Sequence, residues 1–150
     1  MLKGIDPLIT PELIKLLMEM GHDEGLLLAD ANFTAMTLGA GKPVLRLPGA
    51  SMVDVVRAIN ALLPLAVDVK HPVAFMQVSG TEPPYLSGLQ REVLAELKGS
   101  LLPEQSPEPI ERYAFYERVK GVCAIVVTGE LQPFGNFILR KGVIGENLRP

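Results

Sequence analysis

Four short stretches of this sequence carry side chains able to move protons or hold hydroxyl groups. Gly21-His22 offers an imidazole, whose ordinary titration range lies near neutrality. Asp30 ends the apolar run Leu26-Leu27-Leu28-Ala29, and crevices of α/β sheets open at the carboxyl ends of strands. Arg112-Tyr113-Ala114-Phe115-Tyr116-Glu117-Arg118 gathers cations, aromatics and an acid into seven residues. Phe134-Gly135-Asn136 lies between two strand-like segments. Each stretch also has a plainer reading. A histidine after a helix can cap its negative end, an aspartate can cap a turn, the aromatic cluster can be core with solvated charges, and Gly135-Asn136 can be a hairpin turn. Spacing alone leaves both readings open.

Other chemistries lack their residues. Gly39-Ala40-Gly41-Lys42 suggests a phosphate loop, but Met36 stands where the first glycine belongs and Pro43 where Ser or Thr must follow the lysine. The dinucleotide fingerprint fails at Val44, so a flexible turn is the better reading. With His22, His71 and the single Cys123 there is no zinc spacing, and no Gly-x-Ser-x-Gly elbow is present. The chain has no tryptophan, so a sugar site here must rely on polar groups, Phe or Tyr.

The elements that must position these residues are marked by Gly and Pro, 14 and 13 in number, which punctuate the chain throughout. Thr10-Pro11-Glu12 starts a helix whose stripe is Leu13, Ile14, Leu17 and Met20, and Gly21 can end it in a left-handed conformation. Residues 26–29 read as a buried strand, 31–41 as a loop and 44–47 as a second strand. Ser51 to Asp54 resembles a capping box, opening a helix that Pro64 stops. Residues 73–78 make a third strand, 86–98 a third helix and 99–109 a surface loop. A short strand around 110–112 and a helical turn around 115–119 follow, then strands at 122–128 and 136–139. Helices alternating with continuously apolar strands predict an α/β layered domain whose sheet is covered on both faces.

Composition bounds the rest. The chain has 150 residues, enough for one ordinary domain with a real core. It is 48% apolar and 21% charged, a globular balance. A net charge of −3 lacks the basic excess of a general nucleic-acid binder or of a polybasic membrane patch. No run reaches the length of a membrane span, and the opening residues do not read as a signal peptide. A lone Cys123 in an apolar run suits a reducing compartment. A cytoplasmic protein is expected, with no nucleic-acid or membrane partner.

From Pro7 to Gly142 the sequence resembles the fucose mutarotase and ribose pyranase family. The resemblance is carried by Pro7-Leu8-Ile9 with Pro11-Glu12-Leu13, Glu19-Met20-Gly21-His22, Ala29-Asp30-Ala31, Arg112 to Arg118, Thr128-Gly129-Glu130, and Gly135-Asn136 followed by Lys141-Gly142-Val143. Their shared order over the chain is the specific signal. It implies a single three-layer α/β/α domain over 1–150, with a central mainly parallel or mixed sheet; the residues from about 144 themselves read as a short loose tail. It implies a ring-like homo-oligomer, often a decamer, with sugar sites at or near subunit contacts. The implied activity interconverts the anomers or ring forms of a monosaccharide without metal or cofactor. His22 matches the family's catalytic histidine, Asp30 and Arg112 its substrate-contacting acid and arginine, and Phe134-Gly135-Asn136 its Tyr-Gly-Asn sugar-contacting segment. Tyr116 would be a second proton carrier, and Asp30 would orient His22 or hold a sugar hydroxyl.

Tyr116 stands where the ribose branch tends to carry histidine, so the pattern looks like the fucose branch and L-fucose is the expected sugar. Phe134 removes a hydroxyl that the family usually has, and Asn32 stands where fucose-type relatives often have histidine. The alternatives are a D-ribose pyranase, a non-catalytic cytoplasmic monosaccharide-binding protein, and a purely structural ring protein.

Overall fold

The computed structural model describes residues 1–145. Of the expected tail, residues 146–150 lie outside the described residues. The strands are β1 (Gly25–Ala29), β2 (Val44–Leu47), β3 (Val73–Met76), β4 (Glu108–Ile110), β5 (Ala124–Thr128) and β6 (Phe137–Arg140). The helices are α1 (Pro11–Glu19), α2 (Ala35–Leu38), α3 (Met52–Asn60), α4 (Gly88–Leu97) and α5 (Arg112–Val119), with one 3₁₀ turn at Lys98–Ser100.

Strand order is β2–β5–β1–β6–β3–β4. β2, β5 and β1 pair in parallel, β3 and β4 pair in parallel, and β6 runs antiparallel between β1 and β3. Five strands therefore end at one edge of a mixed sheet, and β6 begins there. The predicted α/β/α layering follows from apolar residues on both faces of each strand. Leu26, Leu28, Val73, Phe75, Val126, Phe137 and Leu139 pack toward α1, α3 and α4. Leu27, Ala74, Ile125, Val127 and Ile138 pack toward α5, where Phe115 and Val119 are fully buried. Burying one such side chain is worth about 2 kcal/mol.

Capping chemistry sets the helix starts. Thr10 Oγ1 accepts from Leu13 N–H at 3.1 Å, Ser51 Oγ from Asp54 N–H at 3.1 Å, and Ser87 Oγ from Gln90 N–H at 3.2 Å. Other boundaries differ from the sequence reading. The helical turn expected at 115–119 is a full helix from Arg112, because the Glu111 carboxylate accepts from both Tyr113 and Ala114 N–H. Arg112 is thus the first helical residue rather than the end of a strand, and β4 begins two positions earlier than expected, at Glu108. The loop at 31–41 contains the short α2. Gly21 does not end α1 in a left-handed conformation. Met20 leaves the helix extended, and the left-handed residue is Asp23, at φ 66°. The Gly21 N–H instead donates to Glu24 Oε2 at 2.6 Å. Lys42 does no phosphate work in this fold: its Nζ donates to the Val119 and Lys120 carbonyls, capping α5 where a cation is favoured.

Candidate active site

The edge where five strands end collects most of the candidate residues. Asp30 follows β1, Met76 ends β3, Arg112 opens the helix after β4, and Phe134-Gly135-Asn136 leads into β6. Asp30, Asn32, Phe33, Met76, Arg112, Tyr116, Pro133, Phe134 and Asn136 line one cavity of about 140 Å³. The hairpin reading of Gly135-Asn136 falls away, because β1 lies between β5 and β6.

Asp30 and Asn136 form a buried reciprocal pair, 3% and 2% exposed. Asn136 Nδ2 donates to Asp30 Oδ2 at 2.8 Å, and Asp30 N–H donates to Asn136 Oδ1 at 3.0 Å. The other carboxylate oxygen, Oδ1, accepts from Asn32 N–H at 3.0 Å. Asp30 therefore caps a turn and faces the cavity at once, so its two readings are compatible. Burial pushes its carboxyl above the ordinary value, against the hydrogen bonds from Asn32 and Asn136 that favour the charged form.

Arg112 and Tyr116 stand one helical turn apart on α5. Arg112 Nε donates to Tyr116 Oη at 3.1 Å. The guanidinium lies 5.2 Å from the Tyr113 ring centroid and 5.7 Å from that of Tyr116, and Phe33 meets Tyr116 edge-on at 5.8 Å. No carboxylate among the described residues pairs with Arg112. Its η nitrogens are therefore free for a ligand's oxygens. Because Tyr116 Oη accepts from Arg112, its own proton is left to donate elsewhere. Phe134, half-buried, has its backbone in the left-handed region at φ 62°, and Gly135 is buried beside it.

His22 is not part of this group within one chain. It precedes β1, whereas Asp30 follows it, so the strand separates them by about 16 Å. The expected orientation of His22 by Asp30 therefore does not occur in the single chain. His22 is exposed, and its Nε2 lies 3.1 Å from Asp68. Beside it, at the same edge, Arg140 Nε donates to Asp23 Oδ1 at 2.6 Å. That pair lines a larger cleft, about 580 Å³, with Lys70, His71, Glu108 and Arg118. The cleft's acids are taken up by Arg140 and Arg118, and it holds none of the candidate residues.

Phe33, Met76 and Pro133 also line the cavity and were not singled out in the sequence. Met76 was within reach, since it lies in an apolar strand that ends at the same edge as Asp30. Phe33 was the aromatic residue of a small-residue loop. Cys123 is half-buried, and burial pushes its thiol pKa up, as expected of an inert core cysteine.

The sequence model of the RbsD / FucU transport protein family matches residues 3–144. The L-fucose mutarotase of Actinobacillus pleuropneumoniae serotype 5b is 39% identical over 145 residues, which cover 95% of this chain and 97% of that protein. The L-fucose mutarotase of Glaesserella parasuis serovar 5 is 40% identical, with 95% of this chain and 96% of that protein covered. A crystal structure of the fucose mutarotase of Streptococcus pneumoniae in complex with L-fucose superposes with a TM-score of 0.85 at 36% identity, covering 96% of this chain and 100% of that one.

Proposed function

The chain belongs to the RbsD / FucU transport protein family, and we propose that it is an isomerase, a sugar mutarotase that interconverts the α and β anomers of L-fucose. One observation carries this. In a chain 39% identical to an L-fucose mutarotase over nearly its whole length, the residues that match the family's sugar contacts converge on one cavity.

Mutarotation needs two proton transfers. A base takes the proton of the anomeric hydroxyl, the C1–O1 bond becomes a carbonyl, the C1–O5 bond breaks, and O5 takes a proton from an acid. The open aldehyde rotates about C1–C2 and closes by the reverse steps. Histidine and tyrosine side chains can serve as the general acid and base, each transfer contributing about 10² to 10⁴ in rate. His22 is one proton carrier. Tyr116, its lone pair engaged by Arg112, presents its proton to the sugar as the other. Asp30, held by Asn136 and Asn32, accepts from a sugar hydroxyl. Arg112 donates to hydroxyls and offsets negative charge developing on oxygen. Phe134, with Phe33 and Met76, offers an apolar wall suited to the methyl group of a 6-deoxy sugar, and Gly135 keeps the loop backbone close. No step requires a metal or cofactor.

His22 reaches a sugar cavity only from a second copy of the chain. This supports a homo-oligomer, the decameric ring of the resemblance, in which one subunit supplies the cavity and its neighbour the imidazole. The described residues read as one mutarotase domain. Among the described residues no helix is long and apolar enough to cross a membrane. A cytoplasmic setting, with a monosaccharide and further copies of the chain as partners, completes the reading.

The test is NMR saturation transfer between the α and β anomeric protons of L-fucose, then of D-ribose. Protein-dependent exchange with L-fucose that falls at least about a hundredfold in His22→Ala is expected. Exchange with D-ribose alone would move the chain to the pyranase branch. No exchange with either, from a folded chain that binds sugar, would make it a binding protein.

A further inference from the structure

Helix α4 carries a glutamine at a core position. Gln90 is 0% exposed and sits among Leu89, Val93 and Leu97 on the buried side of the helix. An amide there is costly unless all of its groups are paired. All of them are. Gln90 Oε1 accepts from Ser87 N–H at 3.1 Å, closing the capping box of α4. That bond uses only the acceptor. The two N–H groups go elsewhere: Gln90 Nε2 donates to the Met76 carbonyl at 2.8 Å and to the Phe134 carbonyl at 3.2 Å.

Those two carbonyls flank the candidate active site. Met76 is the last residue of β3, and its N–H donates to the Asn136 carbonyl at 3.1 Å. Phe134 is the left-handed residue of the loop, a conformation that a phenylalanine adopts only where its surroundings hold it. Asn136, two residues on, grips Asp30. The loop also lies against the same turn of α4. A Cβ added to Gly135 would stand 2.8 Å from Leu89 Cδ2.

We infer that Gln90 is a positioning residue for the sugar site. One amide bridges the end of β3 to the left-handed peptide of Phe134, and so sets where the Asn136–Asp30 pair and the Phe134 ring stand. The inference rests on the mutarotase reading. A glutamine kept for capping alone would leave its donors to the core. Here both donors are spent on segments that border the cavity, and neither tyrosine nor histidine of the proposed proton transfer is touched. Loss of Gln90 should therefore misplace sugar contacts without removing a proton carrier.

The experiment measures anomeric exchange of L-fucose over a range of sugar concentrations in three variants. Gln90→Met keeps the size and removes all three bonds. Gln90→Leu removes the same bonds with a shorter apolar side chain, and it serves where Gln90→Met does not fold. Ser87→Ala weakens the capping box and leaves the Gln90 donors in place. KM is expected to rise about tenfold in the Gln90 variants with kcat within about twofold of the parent, while Ser87→Ala keeps the parental KM. A purely structural defect lowers the active fraction, and so kcat, with KM unchanged. That result, or a Ser87→Ala variant whose KM rises as far, overturns the inference. A parent chain with no exchange on either sugar overturns the mutarotase reading and this inference with it. An active parent with unshifted KM in the Gln90 variants overturns the inference alone.

Discussion

Two impaired variants should restore each other when they share one oligomer. His22 and the cavity stand at opposite ends of β1, about 16 Å apart along the strand, so under the proposed mechanism the imidazole comes from another subunit. His22→Ala leaves the cavity intact and removes the proton carrier. Its rate should fall by about 10² to 10⁴. Arg112→Ala leaves the imidazole intact and removes a charged hydrogen-bond donor, which should lower the rate roughly tenfold to a hundredfold. Co-expressed in equal amounts and assembled at random, a site receives an intact His22 from one neighbour and an intact Arg112 from the other in about a quarter of cases. The mixed oligomer should therefore show about a quarter of the parental exchange rate, well above either variant alone. The assay is saturation transfer on L-fucose, with two affinity tags to isolate oligomers that contain both variants. If each site were built within one chain, every subunit of the mixture would carry a lesion in its own site. The rate would then be the mean of the two variants. Verified mixed oligomers at that mean would refute the shared-site argument.

Other perturbations test the parts separately. Glu111→Ala removes the carboxylate that accepts from Tyr113 and Ala114 N–H; the chain should lose about 1 kcal/mol in urea unfolding, and loosening of the turn that carries Arg112 should raise KM for L-fucose. An unchanged KM would mean that Arg112 does not depend on this cap. Phe134→Tyr adds a hydroxyl at the mouth of the cavity; stability should stay within about 0.5 kcal/mol, and one new hydrogen bond should lower KM roughly two- to tenfold. A KM that rises would show the ring alone to be favoured. Asp23 has its carboxyl held below the ordinary value by the hydrogen bond from Arg140, so the folded state binds its proton less readily than the unfolded chain. Stability from this pair is present above the unfolded pKa and is lost as pH falls through the lower folded value. Asn tolerates the left-handed backbone at this position. Asp23→Asn should cost under about 1 kcal/mol near pH 7, discounted because both partners are partly exposed, and should lose less on acidification than the parent. Equal losses in urea titrations at about pH 7 and about pH 3 would refute the assignment.

The layering of the fold was legible because apolar runs such as Leu26 to Ala29 have no polar face, and a strand of that kind must be covered on both sides. Asp30 was legible from its place at a strand end, Arg112 and Tyr116 from the clustering of cations and aromatics, and Asn136 from its stretch between two strands, and it was the family resemblance that favoured these over their plainer readings. The start of α5 was hidden by a residue of modest capping reputation: Glu111 caps through two backbone N–H groups, while local propensity around Ile110 favours a strand. Gln90 was hidden more deeply. A glutamine in a helix reads as a solvated residue, and its burial appears only once Met76 and Phe134, 14 and 44 residues away, are folded against it. His22 was legible as a chemical group but its separation from Asp30 was not, because that distance depends on β1 being fully extended between them.

The direction of β6 decides whether a cavity exists at all. β5 ends at the edge where Asp30 stands, and only eight residues, 129–136, separate it from β6. A parallel partner would need a return across the sheet of a dozen or more residues, so so short a link forces β6 to run back from the same edge. Because β1 lies between β5 and β6, the link must also pass over the end of β1. It is fastened there: Ala31 N–H donates to the Glu130 carbonyl at 2.7 Å, Asn32 Nδ2 to the Leu131 carbonyl at 3.3 Å, and Asp30 N–H to Asn136 Oδ1 at 3.0 Å. The amino end of the reversed strand thereby sets Phe134 and Asn136 over Asp30. Had β6 run parallel, they would have stood at the edge of His22, and Asp30 would have kept neither its buried amide partner nor the loop that walls the cavity. The reversal of one strand thus joins the proposed sugar contacts within a subunit, and it leaves the His22 imidazole at the far edge of the sheet.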